Sequence, residues 1–191
     1  MRFNFPLFLT WLRIVAIPVF VAVLYVPESW ITERNANIIS MWIFIAAAVT
    51  DWLDGYLARR WNQTTSFGAF LDPVADKLMV AVTLFLLVQE NPTPLLAVTS
   101  AVIVGREIAI SALREWMAEI GQRSHVNVAT LGKFKTVMQI VAIEVLLYQH
   151  DLPGFQLFHV GETLLMVAAA LTIWSALVYL RAAWPAMNLK Q

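Results

Sequence analysis

The sequence predicts an all-α integral membrane protein with six transmembrane helices in a single domain over residues 1–191. Three observations lead there. Of the residues, 60% are hydrophobic and only 14% charged, where a soluble domain carries about 25% charged residues. Apolar runs long enough to span hydrocarbon recur along the whole chain, separated by short polar turns. The acidic residues inside those runs are also concentrated: four aspartates fall between Asp51 and Asp76.

Segment 1 runs from about Leu7 to Val26 and follows Phe5 and Pro6, where proline suits a first helical turn. It lacks a small-residue cleavage pattern and so reads as a retained helix. Thr10 and Arg13 share one face of it. Arg13 reads either as a cation snorkelling to the interface or as a substrate contact. A polar loop over Pro27–Asn37 leads to segment 2, about Ile38 to Arg60, which is apolar up to Thr50 and then carries Asp51 and Asp54. The turn Trp61–Phe67 leads to segment 3, about Gly68 to Val88, which opens with Asp72 and Asp76. Pro92 and Pro94 break the chain before segment 4.

Segment 4 is apolar from Leu95 to Val104, then turns charged with Arg106, Glu107, Arg114, Glu115 and Glu119. That half is too charged to face lipid, so it emerges from the membrane or lines a polar cavity. A connecting stretch over Arg123–Lys135 precedes segment 5, about Phe134 to Tyr148, and segment 6 covers about Phe158 to Leu180. Six segments put both termini on one side. Of the 13 basic residues, only Arg34 belongs to the other side, so the termini and all four aspartates are expected at the cytoplasmic face.

Composition also excludes functions. A formal net charge of zero gives no bulk attraction to nucleic acid. With no cysteine there is no disulfide, thiolate metal site or cysteine nucleophile. His125, His150 and His159 are scattered, which argues against a histidine metal site. The eight tryptophans suit interfacial belts, and Met79, Met117 and Met138 suit packing.

Ionisable groups in a membrane segment are costly and mark a functional site by default. Asp51 and Asp54 share a face at i, i+3, and Asp72 and Asp76 share one at i, i+4. The short turn makes their helices antiparallel neighbours, so the two pairs can converge. Clustered carboxylates repel unless a cation relieves them. All-oxygen ligation suits Mg²⁺ or Mn²⁺, and four carboxylates can bridge two ions about 4 Å apart. Gly55, Ala58 and Gly68 leave room for a ligand, and Arg59 can meet a phosphate oxygen. Structural ion pairs from the aspartates to Arg59, Arg60 and Lys77 are the plainer reading.

The spacing D-x2-D-G-x2-A-R-x8-G-x3-D-x3-D, filled by Asp51, Asp54, Gly55, Ala58, Arg59, Gly68, Asp72 and Asp76, resembles the signature of the CDP-alcohol phosphotransferase family. The resemblance implies six transmembrane helices, a homodimer and a cytoplasm-facing polar cavity. It implies transfer of a substituted phosphate from a CDP-linked donor to an alcohol, with release of CMP. The stretches NFPLFLTWLRIVAIP, DWLDGYLARRWNQTTSFGAFLDPVADKLMVA and REIAISALREWMAEIG resemble the bacterial branch that joins CDP-diacylglycerol to sn-glycerol 3-phosphate in the inner membrane. By that resemblance Asp51, Asp54, Asp72 and Asp76 ligate two metal ions, and Asp76 is also the general base. Asp51, Asp54, Gly55, Ala58, Arg59, Gly68 and Asp72 then line the CDP moiety, with the acyl chains left in lipid.

An anionic acceptor needs a second cationic site. Arg106 and Arg114 lie a little over two helical turns apart, roughly on one face, and Lys133 and Lys135 follow. These four are the expected acceptor-phosphate clamp, or else ordinary cytoplasmic anchors paired with Glu107, Glu115 and Glu119. Other acceptors (serine, inositol phosphate, another phosphatidyl group), a divalent-cation transporter and a non-catalytic scaffold are the rival functions. A transporter needs ionisable residues spread through the membrane depth, whereas here they cluster at one face.

Overall fold

A computed structural model describes residues 5–61, 65–120, 129–150 and 156–188. It contains six helices: α1 Phe5–Leu24, α2 Glu33–Trp61, α3 Ser66–Glu90, α4 Pro94–Glu119, α5 Ala129–Tyr148 and α6 Leu157–Asn188. Among the described residues there is no strand.

Local chemistry sets the helix ends. Pro6 occupies the first turn of α1, where its missing N–H costs nothing. Thr65 caps α3, its Oγ1 accepting from the Gly68 N–H at 3.0 Å. A Cβ on Gly68 would itself lie 3.0 Å from that hydroxyl, so glycine lets the cap close. Thr93 caps α4 in the same way, followed by Pro94 at the first helical position. Gln149, with φ at 52°, takes the left-handed conformation that stops α5.

Several helices run longer than their apolar cores. α2 begins at Glu33 rather than Ile38, and α6 continues to Asn188 rather than ending at Leu180. α5 begins at Ala129, so Lys133 and Lys135 stand on a helix and not in a connecting stretch. Hydropathy marks only the part of a helix in hydrocarbon, while the backbone ladder extends into the polar zone. Four helices are apolar enough to cross a membrane by composition alone: α1, α2, α4 and α6. The other two, α3 and α5, are 25 and 20 residues long, but carry Asp72, Asp76 and Lys77, and Lys133, Lys135 and Glu144, respectively.

Phe20, Phe44, Met79, Leu84, Leu96, Ile143, Leu146 and Leu165 form the interior. Large apolar side chains such as Trp42, Phe85, Val98 and Trp174 remain exposed, as expected where lipid is the solvent. Between lipid-facing helices small residues give close approach. At the α5–α6 crossing a Cβ on Gly161 would meet Leu146 Cγ at 2.7 Å. Polar bonds tie together the end of the bundle away from the aspartates. Tyr25 donates to Gln89 at 2.7 Å, Gln149 to Glu90 at 2.5 Å, and Thr93 to Glu162.

One packing relation differs from the expectation. α2 and α3 were expected to lie directly side by side, but they meet only narrowly. α1 packs against both of them, and the tilted rings of Phe5 and Trp61 lie 6.0 Å apart where α1 begins and α2 ends. The first helix is therefore the element that joins the two aspartate pairs.

Candidate active site

Arg13, in the middle of α1, is 2% exposed. Its Nη1 donates to Asp51 Oδ1 at 2.8 Å and its Nη2 to Asp54 Oδ2 at 2.5 Å. One turn earlier on the same face, Thr10 donates to Asp72 Oδ1 at 2.5 Å. This corrects the reading of Arg13 as a snorkelling cation: it points inward and is the counter-ion of the α2 aspartates. Of the plainer partners Arg59, Arg60 and Lys77, Arg60 instead donates to Tyr56 and Lys77 to Ser111, and the Arg59 side chain lies outside the described residues.

The four aspartates divide by burial. Asp54 is enclosed behind Arg13, while the Asp51 side chain keeps 41% of its surface. Asp51, Asp72 and Asp76 line one cavity of about 620 Å³, a usual size for a small-molecule site. The same lining carries the cations Lys77, Arg106, Arg114 and Lys135, with Glu107 among them. A smaller recess of about 120 Å³ shares Asp51, Asp76, Glu107 and Thr136 with it and runs on to Gln139 and Ile140.

The basic residues are held from behind. Arg106 donates to Ser175 of α6 at 2.7 Å. The Arg114 guanidinium lies 5.1 Å above the Tyr179 ring. Lys135 is buried and lies 3.8 Å from Glu107. Three of the four expected clamp residues thus share one cavity, and the side chain of Lys133 lies outside the described residues. In the donor half, Gly55 and Ala58 are half-buried on α2 and line neither polar cavity. Gly68 shapes the α3 cap, and the side chain of Arg59 lies outside the described residues.

The family model for CDP-alcohol phosphatidyltransferases matches residues 3–174. The chain belongs to the CDP-alcohol phosphatidyltransferase family. Similar relatives are the proteins named CDP-diacylglycerol–glycerol-3-phosphate 3-phosphatidyltransferase from Salmonella typhimurium, Shigella flexneri and Escherichia coli. Each is 50% identical to this chain over 183 residues, covering 96% of both sequences.

CDP-alcohol phosphatidyltransferases generally depend on a divalent metal. The donor set here fits a hard cation: three of the aspartates line one cavity and offer carboxylate oxygens, and among the described residues Arg13 is the one cation bonded to Asp51 and Asp54. As the side chains stand, no three carboxylates among the described residues are close enough to hold one ion. Arg13 engages one oxygen each of Asp51 and Asp54.

Gln139 was not singled out from the sequence, and Lys77, Thr10 and Arg13 were read there without their present partners. Lys77 is adjacent to Asp76 and lines the same cavity. Thr10 and Arg13 form the one polar i, i+3 pair in an otherwise apolar helix. Lys135 and Gln139, at i, i+4, make a polar stripe on α5 that sequence reading credited only to Lys135. Both are buried, and a buried polar stripe on a membrane helix is a signal that could have found Gln139.

Proposed function

We propose that this enzyme transfers the phosphatidyl group of CDP-diacylglycerol to sn-glycerol 3-phosphate, giving phosphatidylglycerol phosphate and CMP. The observation that carries this reading is one cavity lined both by carboxylates of α2 and α3 and by cations of α3, α4 and α5. Such a cavity suits two anionic substrates that must meet: a diphosphate held through metal on the carboxylates and a phosphate monoester on the cations.

Asp51, Asp54, Asp72 and Asp76 are the residues that would hold the divalent cations, two Mg²⁺ or Mn²⁺ ions in our reading. Bound there, such ions neutralise the donor diphosphate and the charge developing on departing CMP. Arg13 and Thr10 orient Asp51, Asp54 and Asp72 from behind. Gly55, Ala58, Arg59 and Gly68 line the path of the cytidine. Arg106, Arg114, Lys135 and Lys133 bind the phosphate of the acceptor. Asp76, open to the cavity, takes the proton of the attacking hydroxyl. The hydroxyl oxygen bonds to the phosphorus that carries diacylglycerol, the bond from that phosphorus to the bridging oxygen breaks, and CMP leaves with that oxygen.

The acyl chains stay in lipid. An apolar groove of about 280 Å³ between α1 and α2 starts beside Arg13 and is lined by Val15, Ala16, Val19, Ile43 and Ala46. It offers the first stretch of one chain a path out of the site. The positive-inside distribution supports a cavity and both termini at the cytoplasmic face, and the family resemblance supports a homodimer.

The deciding assay offers purified protein CDP-diacylglycerol, Mg²⁺ and a panel of alcohols. Glycerol 3-phosphate is the expected acceptor, and preference for serine or inositol phosphate would overturn the acceptor assignment. Asp76→Asn should lower turnover by about 10²–10⁴-fold while donor binding persists. Normal turnover in that variant removes Asp76 from the chemistry. The chain has no native cysteine, so single introduced cysteines labelled from either side of sealed vesicles test the orientation directly.

A further inference from the structure

The 120 Å³ recess shares Asp51, Asp76, Glu107 and Thr136 with the main cavity but none of its four cations. Its polar lining is Asp51, Asp76, Glu107, Thr136 and Gln139 beside Arg13, and the Gln139 Oε1 has no hydrogen-bond partner among the described residues. Gln139 is only 4% exposed, so bulk water does not compensate it. A buried, unpaired amide oxygen is costly and calls for a ligand that donates to it. Among the described residues the cation lining the recess is Arg13, which is already committed to Asp51 and Asp54. A phosphate or carboxylate is therefore repelled there, and a neutral hydroxyl fits. A hydroxyl both donates and accepts, so it can bond either end of the amide.

We propose that Gln139 binds the hydroxyl of the acceptor that does not react, and so selects a diol phosphate over a simple alkanol phosphate. This rests on the acceptor reading given above. With the acceptor phosphate on Arg106, Arg114 and Lys135 and the reacting hydroxyl at Asp76, the recess next to Asp76 receives the middle hydroxyl. Phe44, Met79 and Ile140 wall the rest of the recess, with Thr136 as one further neutral polar group. Gln139 also fixes the three-carbon backbone between the two ends, which sets the angle at which the terminal hydroxyl approaches Asp76.

The test compares sn-glycerol 3-phosphate with 3-hydroxypropyl phosphate, which keeps the phosphate and the primary hydroxyl and lacks only the middle one. With the full-length protein, CDP-diacylglycerol and Mg²⁺, the wild type should favour glycerol 3-phosphate by about 10- to 100-fold in kcat/KM. Gln139→Leu should collapse that preference to near unity. Gln139→Met keeps the length of the side chain and gives the same readout should the leucine variant unfold. A wild type indifferent to the missing hydroxyl overturns the proposal. So does a variant that slows both acceptors equally and keeps the preference, the result expected if Gln139 only packs or holds a water. Failure of the phosphate clamp shows elsewhere, as an unchanged acceptor KM in Lys135→Gln with either substrate.

Discussion

Replacing Arg13 by leucine tests the central geometric claim, that α1 neutralises the acidic site. The guanidinium is 2% exposed and contacts two carboxylates at 2.8 and 2.5 Å. The Asp54 side chain keeps only 4% of its surface, so removing Arg13 leaves a buried, uncompensated charge, at a cost of about 3–5 kcal/mol. Asp51 is 41% exposed and its share is screened to about 0–1 kcal/mol. The loss therefore rests almost wholly on Asp54 and should lower the melting temperature by roughly 10 °C. Intrinsic tryptophan fluorescence in detergent reads it, since the chain holds eight tryptophans. Because the cost is an orphaned charge and not lost packing, adding Asp54→Asn should recover most of it. Millimolar Mg²⁺ should recover part of it in the single variant by supplying another cation. An unchanged melting temperature in Arg13→Leu, or a double variant no more stable than the single one, would refute the reasoning.

Three further outcomes follow from other contacts. Lys135→Gln removes a buried cation from the cavity lining and should raise the acceptor KM about 10-fold or more while the donor KM holds, measured by steady-state kinetics. Thr10→Val keeps the shape of the side chain but loses the hydroxyl bonded to Asp72 at 2.5 Å. It should lower stability by about 1–2 kcal/mol, as read from unfolding titrations. Gly161→Val places a Cβ 2.7 Å from the fully buried Leu146. It should cost about 1–3 kcal/mol by forcing α5 and α6 apart, while Gly105→Ala, with open space around the added atom, serves as the tolerated control.

The sequence by itself determined the helix count, the membrane class and the residues worth watching. Hydrophobic run length and helical spacing are local properties, and a carboxylate in an apolar run is conspicuous wherever it folds. Asp51, Asp72 and Asp76, and Arg106, Arg114 and Lys135, were named from spacing and motif, and the fold puts all six on one cavity. Helix ends were less legible, because Glu33 and Ala129 sit in polar stretches where hydropathy says nothing about the backbone ladder.

Only the tertiary structure decided the partners. Which helix stands next to which is set by the packing of side chains distant in sequence, and adjacency in the chain misled for α2 and α3. Arg13 looked like an interfacial cation because its helix is apolar around it, yet its two partners lie 38 and 41 residues away. Gln139 was unremarkable in the sequence, because an amide in a helix gains meaning only from what it faces. Side-chain chemistry is carried by each residue, but the free energy of a charge or an unpaired amide is set by its surroundings, and those exist only once the six helices have packed.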